Sequence, residues 1–420
     1  MKFIHAADIH LDSALRGLER YEGAPVEEIR GATRRAFENL VELAMREEVD
    51  FVLLAGDLYD GDWRDYNTGL YFVRQMQRLH DAGIPVFIVS GNHDAASQIT
   101  RSLRLPENVT LFSTRRPESV VLEELGVAIH GQGFASRAVS EDLSRDYPQG
   151  DPQLFNIGLL HTSLDGKPGH EPYAPCSIDG LRSKGYQYWA LGHVHRREVV
   201  SEEPWILFPG NIQGRHIRET GSKGCTLVSV DNGRVQSVEH RDLDIMRWLL
   251  CEVDLSACAT LDALYEQVHT TLQQAQEESD GLPVAARLQL HGSTPLHAQL
   301  HVQTEQLLQE FRALCGALGG AGVWLEKVTL KTEAANHVDV NLGGDDALGG
   351  LLSAIRELEV DEAAAAPLLE EVDALRGKLP PALRSGDEGF DPAELQQLSV
   401  ILEDVKELLL NSLLATEGGG

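Results

Sequence analysis

The sequence predicts an α/β fold with crossover-connected strands, and three observations carry that expectation. Five short apolar runs in the first half, KFIHAAD, DFVLLAGD, IPVFIVSGNHD, FNIGLLHTS and YQYWALGHVH, each end in polar residues. Runs of this length, bounded by Gly, Asp or Asn, read as strands buried on both faces. Helical periods separate the first three runs, and a later stretch alternates strand-like segments with tight turns.

The elements follow in order. After the first run, Ile29, Thr33, Phe37, Leu40, Val41 and Ala44 fall on one face of a helix. After the second, Leu70, Val73 and Leu79 continue a weaker helical period that stops at Gly83. Strand, helix, strand in this order means crossover units and an α/β core. WILFPGN, GCTLVSVDNGR and SVEHRDLD read as strands and turns, with Asn232-Gly233 a hairpin signal. A second unit begins near Ile245: RWLLCEVDLS is a strand, 261–276 a helix, AARLQLHG a strand, 302–318 a helix and VWLEKVTLKTE a strand. Past Glu333 the texture changes to acidic, Ala/Leu-rich helices separated by Gly and Pro. The last has Asp391 as N-cap, Pro392 at N1 and Glu394 at N3. Its stripe from Leu395 to Leu409 is either core packing or a partner-binding face. The expected division is 1–245, 246–335 and 336–420.

Composition narrows the class. A chain of 420 residues suggests two or three units. Hydrophobic residues at 42% and charged residues at 24% describe a soluble globular protein. No apolar run approaches the roughly 18 residues needed to span a bilayer. MKFIHAADIH places Asp8 where the apolar core of a secretory signal would continue. The expectation is a soluble, cytoplasmic protein without membrane contact. Five scattered cysteines with no C-x-x-C spacing fit reduced thiols and argue against a disulfide framework or a Cys-based zinc site, so any metal is expected to be held by His, Asp and Asn. A formal charge of −29 argues against a stand-alone nucleic-acid binder, whose footprint is basic. Residues 336–420 hold 18 acidic and 5 basic residues, so part of the excess lies in the tail.

Chemistry enters where the polar residues fall. Asp8 and His10, Asp57, Asn92 and His93, His161, then His193 and His195 all sit at the C-terminal ends of the predicted strands. In an α/β sheet that edge is where ligands bind. Asp, Asn and His without Cys suit manganese, iron or zinc. A carboxylate such as Asp57 has two oxygens and can bridge two ions, and neutral imidazoles complete the shells without over-charging them. Two such ions activate water and clamp a phosphate for in-line attack. Singly these signals are weak: a lone His at a strand end is more often structural, and GNHD fits an Asn-rich turn. Both imidazoles of GHVH point to one face of an extended segment. All five signals in order mark a metal site.

The series DxH (Asp8, His10), GDxxD (Gly56, Asp57, Asp60), GNHD (Gly91 to Asp94), His161 and GHxH (Gly192, His193, His195) resembles the calcineurin-like metallophosphoesterase superfamily over residues 1–245. The opening FIHAADIHLDS and the stretch PGNIQGRHIRETGSKG are similar to SbcD-type nuclease subunits and to the YhaO-like branch of DNA repair exonucleases. The resemblance implies a four-layer α/β/β/α sandwich followed by a small α/β cap domain and a helical C-terminal segment. It implies two divalent ions per chain, expected to be manganese with iron or zinc as alternatives. Asp8, His10, Asp57 and His195 would hold one; Asp57, Asn92, His161 and His193 the other. His93 would be the acid that protonates the leaving oxygen, with Asp94 orienting it or raising its pKa. It also implies a DNA substrate and an ABC-type coiled-coil ATPase partner docked on the C-terminal helices; self-association of the tail is the other expectation for that segment. One departure stands out: SbcD-type nucleases have a His three residues after the bridging Asp, and here that residue is Asp60.

Arg215, His216 and Arg218 are expected to contact backbone phosphate. Arg16, Arg20, Arg34 and Arg35 fit either a DNA-facing edge or ordinary helix-surface charge. Asp12 either supports the site or ends a turn. His5, His80 and His130 read as structural. The functional expectation is a metal-dependent DNA nuclease; the alternatives are a small-molecule phosphodiesterase or nucleotidase, and a non-catalytic scaffold, which has no reason to keep seven ligands.

Overall fold

The computed structural model describes residues 1–13, 26–60, 66–95, 104–165, 173–319 and 322–335, together with 350–351, 354–355 and 406. The chain divides into two compact units. The first comprises Met1–Val253, Glu266–Gln289 and Leu308–Thr329; the second takes Asp254–Tyr265, Leu290–Leu307 and the described residues from Leu330 onward.

In the first unit, β1 (Lys2–Ala6), α1 (Val26–Arg46), β2 (Phe51–Ala55), α2 (Tyr66–Asp81), β3 (Val86–Val89), the short α3 (Asn92–Ala95) and β4 (Val109–Leu111) follow one another. Then come β5 (Glu118–Leu122), β6 (Val127–Gln132), β7 (Phe155–His161), α4 (Ile178–Arg182), β8 (Tyr188–Gly192), β9 (Glu198–Glu202), β10 (Trp205–Phe208), β11 (Gly224–Asp231) and β12 (Arg234–Asp242). One sheet has the order β12-β11-β1-β2-β3-β4 and the other β5-β6-β7-β8-β10-β9. Strands β1 to β4 run parallel, as do β6, β7 and β8. All five predicted strands are present, as β1, β2, β3, β7 and β8.

The continuous apolar runs have a direct cause: each sheet is covered on both faces. Ile4, Val52, Leu54 and Ile88 face α1 and α2, where Phe37, Leu40, Val41, Phe72, Met76 and Leu79 bury themselves. Between the sheets, Phe3, Phe51, Phe155 and Tyr188 pack near the N-terminal ends of their strands, with Ala7, Ala55 and Ala190 further along. Leu160, Trp189, Leu191, Ile206 and Phe208 pack with Leu181 of α4 on the far face. Helices, sheet, sheet and helix make the expected four layers.

The predicted face of α1 is buried from Ile29 to Ala44. That of α2 is partly misread. Leu70 is 55% exposed, and the buried side chains are Thr68, Tyr71, Phe72, Gln75, Met76 and Leu79. An aromatic pair one position later sets the helix's rotation, because burying large rings outweighs burying one leucine. Strands β4, β5, β6 and β9 were not foreseen. Asn232 and Gly233 both have positive φ and join Asp231 to Arg234, the two-residue hairpin turn expected of that dipeptide.

Beyond this sandwich lie β13 (Arg247–Asp254), α5 (Leu261–Glu277), β14 (Val284–Thr294), α6 (His297–Val302), α7 (Thr304–Ala317) and β15 (Val323–Ala334). Their strands form a separate sheet, β13-β14-β15. The five cysteines are free and buried. Among the described residues no helix is long and apolar enough to cross a membrane. The Leu395–Leu409 stripe, Arg16 and Arg20 lie outside the described residues.

Candidate metal centre

Every predicted ligand arrives at one edge. Asp8 and His10 follow β1, Asp57 follows β2, Asn92 follows β3, His161 ends β7, and His193 and His195 follow β8. Asp8, His10, Asp57 and His193 adopt positive φ, a region that non-glycine residues seldom occupy. The turn at each strand end redirects the side chain instead of continuing the pleat. Glycine is required beside two of them: a Cβ on Gly91 would collide with the Asp57 carboxylate, and one on Gly192 with the Ala55 carbonyl.

The donor atoms converge. His10 Nε2 lies 3.2 Å from His195 Nε2, and His195 Nε2 is 3.8 Å from Asp8 Oδ1. Ligand atoms of Asp8, His10 and His195 all lie within 4.8 Å of one another, as do those of Asp8, Asp57 and His161. His161 Nε2 is 2.9 Å from Asn92 Oδ1 and 3.5 Å from Asp57 Oδ2. The rings of His161 and His193 meet edge to face at 5.3 Å. Asp8 thus sits with both clusters, and its carboxylate also accepts the His193 backbone N–H.

These residues fit a pair of cations. Burial, and then the charge of Asp57, pushes the Asp8 carboxyl well above the usual range. Burial and Asp94 lift Asp57 to about 7. Burial holds His10 and His161 well below the ordinary imidazole value, which keeps them neutral and able to donate a lone pair. Crowded buried carboxylates beside neutral imidazoles are costly alone and are compensated by positive charge.

The surrounding contacts differ between the two clusters. His161 Nδ1 donates to the Ala55 backbone carbonyl at 2.9 Å. His195 Nδ1 instead meets Glu219 Oε1 at 2.7 Å. Glu219 was not singled out by the sequence; its place four residues after Arg215, in RHIRE, was the available signal. Its carboxylate also accepts from Arg215 Nη2 at 2.8 Å, the Arg215 backbone N–H at 2.8 Å and Asn211 Nδ2 at 2.9 Å.

His93 is placed at the rim beside His10, ring centroids 5.1 Å apart. Asp94, expected to orient it, is occupied elsewhere. One Asp94 oxygen accepts the backbone N–H groups of Leu58 and Tyr59, the other that of Gly91. Asp60 takes the orienting position, with Oδ1 3.0 Å from His93 Nδ1 and Oδ2 accepting from Ser13 Oγ at 2.6 Å. Burial alone would lower the His93 pKa, but the bond to Asp60 and the charges of Asp57, Asp60 and Asp94 outweigh it and raise it. His10, Asp60 and His93 form a third close cluster of potential ligand atoms.

The other candidates separate clearly. Arg215 is 12% exposed and engaged with Glu219, whereas His216 and Arg218 are exposed. Asp12 pairs with Arg34 and Thr68, away from the ligands. His5 bridges the sheets between Tyr188 and Leu191, His130 joins Ser119 to Asn156, and His80 lies on the surface beside Gln77 and Asp81.

Such a site defines the class: the chain belongs to the calcineurin-like metallophosphoesterases, a family of phosphoester hydrolases that bind two divalent metals. Residues 1–197 match the calcineurin-like phosphoesterase family, and residues 248–333 match the middle domain of metallophosphoesterase YhaO. The chain is 38% identical over 299 residues to the uncharacterized metallophosphoesterase YhaO of Bacillus subtilis, covering 70% of this chain and 72% of that protein. It is 26% identical over 262 residues to the DNA double-strand break repair protein Mre11 of Sulfurisphaera tokodaii, covering 59% and 64% of the two chains. The Mre11 protein of Sulfolobus acidocaldarius is 21% identical over 326 residues, or 74% and 80% of the two.

Proposed function

We propose that this protein is a two-metal phosphodiesterase acting on DNA, a nuclease subunit that works with an ABC-type coiled-coil ATPase. The observation that carries the reading is the convergence of seven Asp, Asn and His side chains at the C-terminal strand ends of the two sheets, with His93 beside them. The similarity to Mre11 repair proteins supports DNA as the substrate class.

Asp8, His10 and His195 would hold one ion, and Asp57, Asn92, His161 and His193 the other, with Asp57 shared. Manganese best suits this oxygen- and nitrogen-rich set, with iron and zinc as alternatives. When bound, the ions supply the electrophilic charge that activates water and neutralises the phosphate. His93 acts as the acid. Its Nδ1 faces Asp60, so Nε2 is left to hand a proton to the leaving oxygen, and the pairing with Asp60 and the charge of Asp57 raise its pKa. Asp60 fixes the ring; Asp94 braces the backbone on which Asp57 and His93 stand. His216 and Arg218 offer exposed contacts to the DNA backbone.

The test uses purified protein with manganese on linear duplex DNA, circular single-stranded DNA and a chromogenic phosphodiester. Cleavage of DNA, abolished by chelator, is expected. Hydrolysis of the chromogenic ester with both DNAs left intact would replace this reading with a small-molecule phosphodiesterase.

A further inference from the structure

We infer that Glu219 is the positioning residue for His195, and that it makes occupancy of the Asp8–His10–His195 position separately controllable from that of the position holding Asn92 and His161. The inference rests on the two-metal reading above and adds a residue which that reading does not use.

An imidazole offers a lone pair at Nε2 only when its proton sits on Nδ1, and the partner of Nδ1 fixes both tautomer and ring angle. The two clusters solve this differently. His161 Nδ1 donates to a backbone carbonyl, Ala55, which no substitution removes. His195 Nδ1 donates to a side chain, Glu219, at 2.7 Å, and this aims Nε2 at His10 Nε2.

Glu219 is itself tightly held. It is 4% exposed, and both oxygens receive donors only: Oε1 from His195 and Arg215 Nη2, Oε2 from Asn211 Nδ2 and the Arg215 backbone N–H. Such a pattern needs an anion. Glutamine has one accepting oxygen and one donating nitrogen, so either orientation sets its NH₂ against existing donors. The Arg215 guanidinium neutralises the buried carboxylate and reaches Ser13 Oγ at 3.4 Å and Asp60 Oδ2 at 3.9 Å. Arg215 is therefore a second positioning residue. The pair lies outside the GHxH motif and acts on only one of its two histidines.

Calorimetric titration of metal-free wild type and Glu219→Gln with manganese, followed by electron paramagnetic resonance, tests the inference. Expected is a variant in which one ion binds about 10–100-fold more weakly and the other as in wild type. The spin-coupled signal of a manganese pair should give way to that of an isolated ion. If metal-free Glu219→Gln is unfolded by circular dichroism, Glu219→Asp, which keeps an anion for Arg215, is titrated instead with the same single-site weakening expected. Two ions bound at wild-type affinity, or both weakened alike, would overturn the inference alone. A wild type that takes up fewer than two ions would overturn the two-metal reading and the inference together.

Discussion

The space between the sheets and the rim where their strands end are built from the same segments by opposite rules. Between the sheets, Phe3, Phe51, Phe155, Tyr188 and their neighbours share one apolar interior, where each side chain has many interchangeable contacts. At the rim, Asp8, His10, Asp57 and His193 hold left-handed backbone conformations, and most polar atoms have one or two specific partners. Damage to the core lowers stability in proportion to the volume removed. At the rim, a single atom decides whether chemistry occurs. The strain and buried charge of the rim persist because the core beneath over-determines the backbone.

The largest contrast comes from removing one side chain of each kind. Asp57→Ala deletes the carboxylate proposed to be shared by both ions; metal analysis should find both ions lost and phosphodiester hydrolysis at background, in a protein that still folds. Phe51→Ala, fully buried between the sheets, should cost about 3–5 kcal/mol of stability while metal content and activity survive below the lowered melting temperature. An Asp57→Ala protein that keeps two ions would break the comparison.

His93→Ala sharpens it within the rim. Because its ring pairs with Asp60 while the seven ligands are other residues, both ions should remain. Turnover of esters with poor leaving groups should fall by about 10²–10⁴-fold, and that of esters with good leaving groups by much less. Equal losses, or loss of metal, would remove His93 from the role of acid.

The smallest effect concerns pH. Burial and then Asp94 hold the Asp57 carboxyl near 7 in the metal-free protein, against 3.8 ordinarily. The folded state keeps a proton that the unfolded chain has released, so ionisation opposes folding, increasingly between about pH 4 and pH 7. Asp57→Asn lacks this opposition. In chelator, its melting temperature should gain on that of wild type as pH rises through this window, by a few degrees. A constant difference would mean the rim carboxylate titrates normally. Manganese should abolish the gain, since wild type alone regains its compensating charge.

What the sequence made legible follows the same divide. The five buried parallel strands were readable because covering both faces leaves an unbroken apolar run, and the convergence of the candidate ligands was readable because they stand directly after those runs. Strand β6 was not readable: His130, Gly131 and Gln132 interrupt its pattern, although every residue in it is buried. Strands β4 and β5 lie at sheet edges and are half exposed, so their residues carry little periodic signal. Leu70 misled because hydrophobicity was counted without ring size. Glu219 and Asp60 depend on partners brought together by folding, His195 at a separation of 24 residues and His93 at 33. Local pattern records which residue types are present but not which atom of one meets which atom of another. Arg215 shows the limit most clearly, since a cation suited to phosphate is held instead by a carboxylate four residues away.

The spacing of the two sheets has a further consequence. Between them, Ala7 and Ala55 stand where their strands reach the rim, and there Gly192 fits against the Ala55 carbonyl. That carbonyl also receives His161 Nδ1, so the close approach of β8 to β2 bears on where one candidate ligand stands. A Cβ at Gly192 would collide with that carbonyl and force the two strands apart. The approach of the two sheets at the rim is, in this sense, held open to a backbone carbonyl by a glycine that ligates nothing.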